Sequence, residues 1–176
     1  RFRGLGRMIS LPMLHECYHG LNKRAASGVD AVSWHDYGEG LSEKLINLHE
    51  RLRKGRYRAP HVRRHYIPKA DGKRRALGIP AMEDKIVQKA AARILEAIHE
   101  ADFLPSSAGY RPGRGPRGAS QQLQHELYHS PVGWIVEADI KGFFDHVDHD
   151  WLERMLERRI HDRGFLRLIR KWLNAG

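Results

Sequence analysis

The sequence predicts an α+β fold in which helices surround a basic β-hairpin and a small antiparallel sheet. Several stretches repeat apolar residues at the spacing of an amphipathic helix. Two runs bounded by prolines, residues 61–68 and 73–79, flank an Asp-Gly pair, which is a strong signal for a hairpin. A short, mostly apolar run at residues 134–138 favours one further strand. This order of elements fits an α+β or split α/β arrangement.

The helices are predicted from the positions of their apolar residues. Residues 11–26 show helical spacing until a Ser-Gly-Val-Asp sequence breaks it, and residues 41–54 carry leucines on one face with Gly55 as the stop. The Ala-rich stretch 82–103 has the strongest helix pattern and is expected to be a buried scaffold helix. Three more helices are expected, at residues 120–130, 151–160 and 165–173.

The predicted hairpin is strongly basic, and its charges admit two interpretations. The Asp-Gly tip would let Lys69 and Arg75 flank the turn and reach one common anion, and a Lys with an Arg suits a triphosphate. Alternatively, the charges are simply exposed to solvent, as is common on a two-stranded ribbon. The hairpin carries six cations: Arg63, Arg64, Lys69, Lys73, Arg74 and Arg75.

The composition is that of a folded, basic protein. The 176 residues include 31 Lys and Arg against 21 Asp and Glu, a formal net charge of +10, while 41% of the residues are apolar. This excess of positive charge favours a nucleic-acid partner, because neutralised phosphates release counterions. An anionic membrane surface would attract the same charge. However, no apolar run approaches the roughly 20 residues of a membrane span, so we expect nucleic acid and no membrane.

Cys17 is the single cysteine, which excludes an internal disulfide and a cysteine-based zinc site. This cysteine usage makes a reducing cytoplasm the expected compartment. The chain starts with Arg and stops directly after a helical run, so we expect it to be an excerpt of a longer protein. The oligomeric state is left open, a dimer included.

Acidic residues follow the apolar run and also admit two interpretations. Asp139 lies at the end of the predicted strand, where open sheets place reactive groups and where a carboxylate could hold Mg²⁺. A turn or a helix cap is the ordinary role of an Asp there. Asp145, Asp148 and Asp150 lie where a helix starts, and there they would satisfy free N–H groups and the helix dipole.

A loop rich in Gly, Pro, Ser and Arg, the Arg/Gly loop, occupies residues 104–120. Its arginines, Arg111, Arg114 and Arg117, could follow a phosphate backbone. A flexible connection without a ligand is the alternative.

Five segments, taken in order, resemble those of a reverse transcriptase of the group II intron type, also called an intron-encoded maturase. Each segment is a modest signal, whereas the ordered set covers nearly the whole chain and is highly specific. The segments are SGVDAVSW at 27–34, IPKADGKRRALGIPAMEDKIVQKAAARILEAI at 67–98, SSAGYRPGRG at 106–115, WIVEADIKGFFDHVDHDWL at 134–152 and LIRKWLNAG at 168–176.

The resemblance implies a right-hand polymerase, with the fingers region at residues 1–130 and the first part of the palm at residues 131–176. The remaining palm and the thumb are expected to be absent. The implied activity is RNA-directed DNA polymerisation, with binding of intron RNA and assistance to its splicing. The implied partners are an RNA template, a DNA or RNA primer and dNTPs.

The resemblance also implies roles for individual residues. Asp139 matches the first catalytic aspartate of the palm, a Mg²⁺ ligand, and the backbone carbonyl of Ile140 is expected to bind the second metal. Phe144 matches the position whose ring excludes a ribose 2′-OH. The other implied contacts are Lys69 and Arg75 with the incoming triphosphate, and Arg63, Arg64, Gln88, Arg111 and Arg114 with nucleic acid.

The implied mechanism needs two metals about 4 Å apart, which activate the primer 3′-OH and stabilise the leaving pyrophosphate. One carboxylate cannot complete such a site, and no Asp-Asp pair occurs in these residues. We therefore expect this polypeptide alone not to polymerise DNA.

The sequence departs from the family pattern in two places. A Gly-Arg-Gly-Pro-Arg-Gly sequence replaces the usual Gly-Arg-Ser, which leaves the roles of Arg114 and Arg117 open. Ala31 stands where a glycine commonly follows Asp30. Two alternatives are an RNA-binding maturase module without polymerase activity and a reverse transcriptase of the kind linked to CRISPR loci.

Overall fold

The computed structural model describes residues 1–68, 72 and 74–176. Within that part, the chain contains seven α-helices and one two-stranded antiparallel sheet, which confirms the predicted α+β class. The helices are α1 Leu11–His19, α2 Trp34–Gly38, α3 Leu41–Arg53, α4 Met82–His99, α5 Pro116–His129, α6 His149–Glu157 and α7 Arg163–Ala175, and the strands are β1 Arg63–Pro68 and β2 Arg74–Ile79.

The chain divides into two compact units. The first unit consists of Arg1–Ile94 together with Asp148–Gly176, and the second consists of Leu95–Val147. The expected boundary between fingers and palm after residue 130 is a functional division of another kind, and it stays a prediction. None of the helices in the described residues combines the length and apolar character that crossing a membrane requires.

The core of the first unit includes the apolar faces of α1, α3 and α7. Leu14 of α1, Leu45 and Leu48 of α3 and Phe165 of α7 are buried, as the periodic spacing of these helices predicts. Gly55 ends α3 as expected, because it adopts a φ of +68° and donates its N–H to the carbonyl of Leu52 at 3.1 Å.

Helix α4 is the predicted scaffold helix, and its face with Ile86, Val87 and Ala90 is fully buried. Its first N–H, at Met82, donates to Oδ2 of Asp30 at 2.9 Å, so a residue 52 positions earlier satisfies the helix start. The two regions lie so close that a Cβ at Gly28 would be 2.4 Å from the carbonyl oxygen of Pro80. Only glycine fits there, which explains the Ser-Gly-Val-Asp sequence structurally.

The two strands of the hairpin are antiparallel, as predicted. Arg63 of β1 pairs with Ile79 of β2, and Pro68 pairs with Arg74. Gly72 has a φ of +78°, the left-handed conformation that the Asp-Gly signal requires of the turn. The expected partner in that turn, Asp71, lies outside the described residues.

The prediction of a strand at residues 134–138 is wrong. Residues 131–140 have no regular secondary structure, and Trp134 and Val136 are 92% and 91% exposed. A strand is stable only beside a hydrogen-bonded neighbour, and the sheet in the described part of the chain contains β1 and β2 alone. The apolar composition of this run was therefore not sufficient to make it a strand here.

Candidate functional site

Asp139 lies in the irregular segment of the second unit, with its side chain exposed. The next residue, Ile140, begins a tight turn in which its carbonyl accepts the N–H of Phe143 at 3.3 Å. Gly142 makes this turn possible with a φ of +65°. In the sequence, Asp139 directly precedes this turn and Phe144 directly follows it.

The carboxylate of Asp139 and the carbonyl of Ile140 are oxygen donors, the type that hard divalent cations prefer. Among the residues that the structure describes, no three metal-ligating side chains converge. The two donors therefore fit part of a divalent-cation site, with further ligands needed to complete it.

Phe144 opens a short 3₁₀ turn, Phe144–His146, and its side chain is 72% exposed. One ring from outside this turn lies beside Phe144: the centroids of Tyr110 and Phe144 are 6.2 Å apart and the rings are perpendicular. Tyr110 has a φ of +55°, one of two positive values among the non-glycine residues in the described part of the chain. The Arg/Gly loop and the Phe144 turn thus meet through two aromatic rings.

Arg111 is buried, with 7% of its surface exposed, and it anchors the Arg/Gly loop. Its Nη2 and Nε donate to the two carboxylate oxygens of Glu100 at 2.6 and 3.2 Å, a bidentate pair. Its Nη1 donates to the carbonyls of Leu104 and Ser107 at 2.9 and 2.6 Å. The hydrogen bond from Arg111 holds the pKa of the Glu100 carboxyl below its usual value. These contacts bind the guanidinium within the protein, and the expected contact of Arg111 with nucleic acid stays a prediction.

The other loop arginines are exposed. Arg114 donates through Nη1 to the carbonyl of Pro105 at 2.7 Å, which leaves its remaining donors facing solvent. Arg117 occupies the first turn of α5, which starts at Pro116 after Gly115 as its N-cap. The Gly-Pro departure from the family pattern is therefore the start of this helix.

The hairpin presents arginines on both of its faces. Directly paired residues of antiparallel strands share a face, so the register places Arg63 and Arg75 on one face and Arg64 and Arg74 on the other. All four side chains are exposed. The ribbon is therefore positively charged on both sides, and either side can approach an anion.

Two further expected residues need separate mention. Lys69, the expected partner of Arg75, lies outside the described residues, and its role stays a prediction. Gln88 lies in α4 and is half-buried, so part of its side chain reaches solvent beside the buried scaffold face.

Asp148 and Asp150 lie at the start of α6, as the sequence predicts. Asp148 is the N-cap of α6, and its Oδ1 accepts the N–H of Trp151 at 2.9 Å. Asp150 forms a salt bridge with Arg170 of α7 at 2.9 Å. These contacts give both carboxylates structural roles in α6.

Comparison with known sequences decides the family. The sequence model of the reverse transcriptase (RNA-dependent DNA polymerase) family matches residues 67–175, from the hairpin to the end of α7. The chain belongs to the reverse transcriptase family. This confirms the resemblance that the ordered segments indicate.

Several relatives of this reverse transcriptase chain carry intron names. It is 40% identical over 143 residues to the group II intron-encoded protein LtrA of Lactococcus lactis subsp. cremoris, covering 80% of the chain and 24% of LtrA. It is 38% identical over 152 residues to protein YkfC of Escherichia coli K12, covering 85% of the chain and 40% of YkfC. Nuclear intron maturase 1 of Arabidopsis thaliana is 32% identical over 90 residues, 51% of the chain and 12% of that protein. The chain thus spans less than half the length of these relatives.

Within this reverse transcriptase chain, Tyr110 and Glu100 are the site residues that sequence reasoning missed. Tyr110 stands inside a quoted segment, next to Arg111, but an exposed tyrosine in a glycine-rich loop gives no signal of its partner. Glu100 follows the long helix α4 and reads as part of a solvated helix end. Only the fold brings Glu100 to Arg111 and Tyr110 to Phe144.

Proposed function

We propose that this chain is the fingers and first part of the palm of an RNA-directed DNA polymerase of the group II intron type, which also binds intron RNA and assists its splicing. The observation that carries the proposal is the match of the reverse transcriptase family to residues 67–175. That range contains β2 with Arg74 and Arg75, the Arg/Gly loop and Asp139, whereas Arg63 and Arg64 of β1 precede it. The name of LtrA, a group II intron-encoded protein, supports the group II type. The name of the Arabidopsis relative, an intron maturase, supports a role with intron RNA.

In the proposed active site, Asp139 and the carbonyl of Ile140 would hold divalent metal, with Mg²⁺ as the ion. A bound divalent metal supplies positive charge that lowers the pKa of a primer hydroxyl and stabilises a leaving pyrophosphate. The protein's own part is to hold one carboxylate and one carbonyl at the start of the tight turn before Phe144. The exposed position of Asp139 leaves room for a primer end and a nucleotide to approach.

The proposed nucleotide contacts come from the hairpin and from Phe144. Arg75 lies one residue inside the turn end of β2, with its side chain exposed, and with Lys69 it would grip the incoming triphosphate through charge-assisted hydrogen bonds. Phe144 would exclude a ribose 2′-OH through its volume, a selection by clash against the wrong sugar.

The proposed nucleic-acid contacts in the first unit are Gln88 and the positively charged ribbon, with Arg63 and Arg64 on opposite faces. Arg114 is the proposed contact in the second unit. A net charge of +10 supports binding to a phosphate backbone in which the affinity falls steeply with salt. Template, primer and intron RNA would share these contacts.

We further propose that this chain does not polymerise DNA by itself, because the donors at Asp139 and Ile140 make up only part of a two-metal site. The second candidate function is an RNA-binding maturase module without polymerase activity. The exposed arginines on both faces of the hairpin favour it, since they bind phosphates whether or not catalysis follows.

Primer extension by the complete gene product on an RNA template tests the proposal. We expect cDNA synthesis that requires the RNA template, dNTPs and a divalent cation. The 176-residue chain assayed in parallel should bind the primed template and extend nothing. Folded complete protein that binds RNA tightly and synthesises no cDNA would favour the maturase module.

A further inference from the structure

We propose that Tyr110 is a positioning residue for Phe144 and thereby sets how strictly a ribose 2′-OH is excluded. The inference rests on the proposed function of Phe144 as the sugar filter. Tyr110 belongs to the Arg/Gly loop and not to the Phe144 turn, and its ring lies beside the ring of Phe144.

Phe144 has few neighbours that could fix its ring. Its side chain is 72% exposed, and two rings lie near it in the described part of the chain. Phe143, at a centroid distance of 5.2 Å, is its sequence neighbour and moves with the same turn. Tyr110, at 6.2 Å and perpendicular to Phe144, is the contact from a separate segment. An edge-to-face pair of this kind is a favoured aromatic geometry.

The backbone of Tyr110 is held where its own preference would not place it. A φ of +55° is unfavourable for a bulky L-residue. The following residue, Arg111, is fixed by the bidentate pair with Glu100 and by two carbonyls. Pro112 further restricts the backbone of Arg111 to extended conformations. This anchor keeps Tyr110 in the left-handed conformation that turns its ring toward Phe144.

A volume filter works only if the ring occupies its place while the nucleotide binds. A freely rotating Phe144 would move aside for part of the time and admit the 2′-OH. By narrowing the positions of the Phe144 ring, Tyr110 raises the discrimination against ribonucleotides without touching the sugar. Tyr110 is itself 93% exposed. We therefore expect its contribution to the discrimination between dNTP and rNTP to lie in the lower half of the range for aromatic pairs, about two- to fivefold.

The test compares the kcat/KM of a dNTP with that of the matching rNTP in the complete gene product. The ring-removing variant is Tyr110→Asn, because asparagine tolerates the left-handed backbone, with Tyr110→Gly as a second such variant. Tyr110→Phe keeps the ring and serves as the matched control. Phe144→Ala, alone and combined with Tyr110→Asn, completes a double-mutant cycle.

We expect Tyr110→Asn and Tyr110→Gly to raise the rNTP/dNTP ratio of kcat/KM about two- to fivefold, while Tyr110→Phe stays near wild type. On the Phe144→Ala background, Tyr110→Asn should change the ratio no further. The inference is overturned if Tyr110→Asn leaves the ratio unchanged, if Tyr110→Phe relaxes it equally, or if the effect persists without Phe144. A ratio unaffected by Phe144→Ala itself would instead overturn the proposed role of Phe144, and the two failures are thus distinguishable.

Discussion

The hydroxyl of Tyr57 donates a hydrogen bond to Oδ1 of Asp84, and both side chains are buried. Trp172 of α7 donates its Nε1–H to the same hydroxyl at 2.9 Å. One buried phenol therefore joins the segment after α3, the first turn of α4 and the last helix of the first unit. The segment after α3 leads into the hairpin, and α4 is the scaffold helix. The network therefore stabilises the unit that carries the hairpin arginines proposed to contact nucleic acid.

Replacing Tyr57 with Phe removes both hydrogen bonds at almost constant volume. We expect Tyr57→Phe to lower the free energy of unfolding by about 1–3 kcal/mol, since it leaves the Asp84 carboxyl and the Trp172 indole without their partner. Urea unfolding measures the loss. Tyr66→Phe, at an exposed position on β1, is the matched control and should change little; equal losses in both variants would contradict the role of the buried network.

Asp84 gives the stability a dependence on pH. Burial raises its pKa from 3.8 to about 6, while the hydrogen bond from Tyr57 acts in the opposite direction. Because the folded state binds this proton more tightly, the contribution of Asp84 to stability is greatest below about pH 4 and is lost as the pH rises to about 6.

Asp84→Asn isolates that contribution. The free energy of unfolding of wild type minus that of Asp84→Asn should fall by up to about 3 kcal/mol between pH 4 and pH 7, as measured by urea unfolding at each pH. A difference that stays constant over this range would show that Asp84 keeps its ordinary pKa.

Ala31 adopts a φ of +54°, a conformation that glycine reaches without strain. It stands where the family commonly has glycine, so the structure supplies the physical reason for that preference. We expect Ala31→Gly to stabilise the chain by about 0.5–1 kcal/mol, the relief of strain outweighing the added freedom of the unfolded chain. Thermal unfolding measures this, and Ala26→Gly, at a position without positive φ, should destabilise. A loss of stability in both variants would refute the account of Ala31.

Arg64 and Arg111 should respond differently to neutralisation. If Arg64 contacts phosphate, Arg64→Gln lowers the slope of log affinity for RNA against log salt by about one. Arg111→Gln should leave that slope unchanged, because its guanidinium is already occupied by Glu100 and two carbonyls. It should instead speed proteolytic cleavage within residues 104–115. A reduced slope for Arg111→Gln would return Arg111 to the nucleic-acid surface.

The elements that the sequence predicts well are those set by local pattern. The scaffold helix follows from its apolar spacing, the hairpin from Asp-Gly between two runs, and the end of α3 from Gly55. Helix α2 was missed, although Ser33 and Asp36 form a capping box at its start. The capping-box residues are present in the sequence, but they closely follow the Ser-Gly-Val-Asp sequence, which predicts a break in helical structure.

The parts that could not be predicted depend on contacts between distant residues. The run at residues 134–138 has a strand composition, but strand formation depends on a neighbour that no local pattern reveals. Arg111 could not be assigned as a loop anchor, because its partner Glu100 is eleven residues away across an irregular segment. Asp139 was expected at the end of that strand, which does not form. Its catalytic role rests on the ordered segments alone and stays a prediction.

The most direct test of the account is RNA-templated primer extension by the complete gene product carrying Asp139→Ala. Asp150→Ala is the matched control, because that carboxylate is an exposed surface partner of Arg170. We expect Asp139→Ala to reduce cDNA synthesis at least about a hundredfold, because the metal would no longer stabilise the developing charge. The RNA affinity of Asp139→Ala and the cDNA synthesis of Asp150→Ala should stay near their wild-type values. Undiminished synthesis by Asp139→Ala would contradict the placement of the metal and with it the proposed active site.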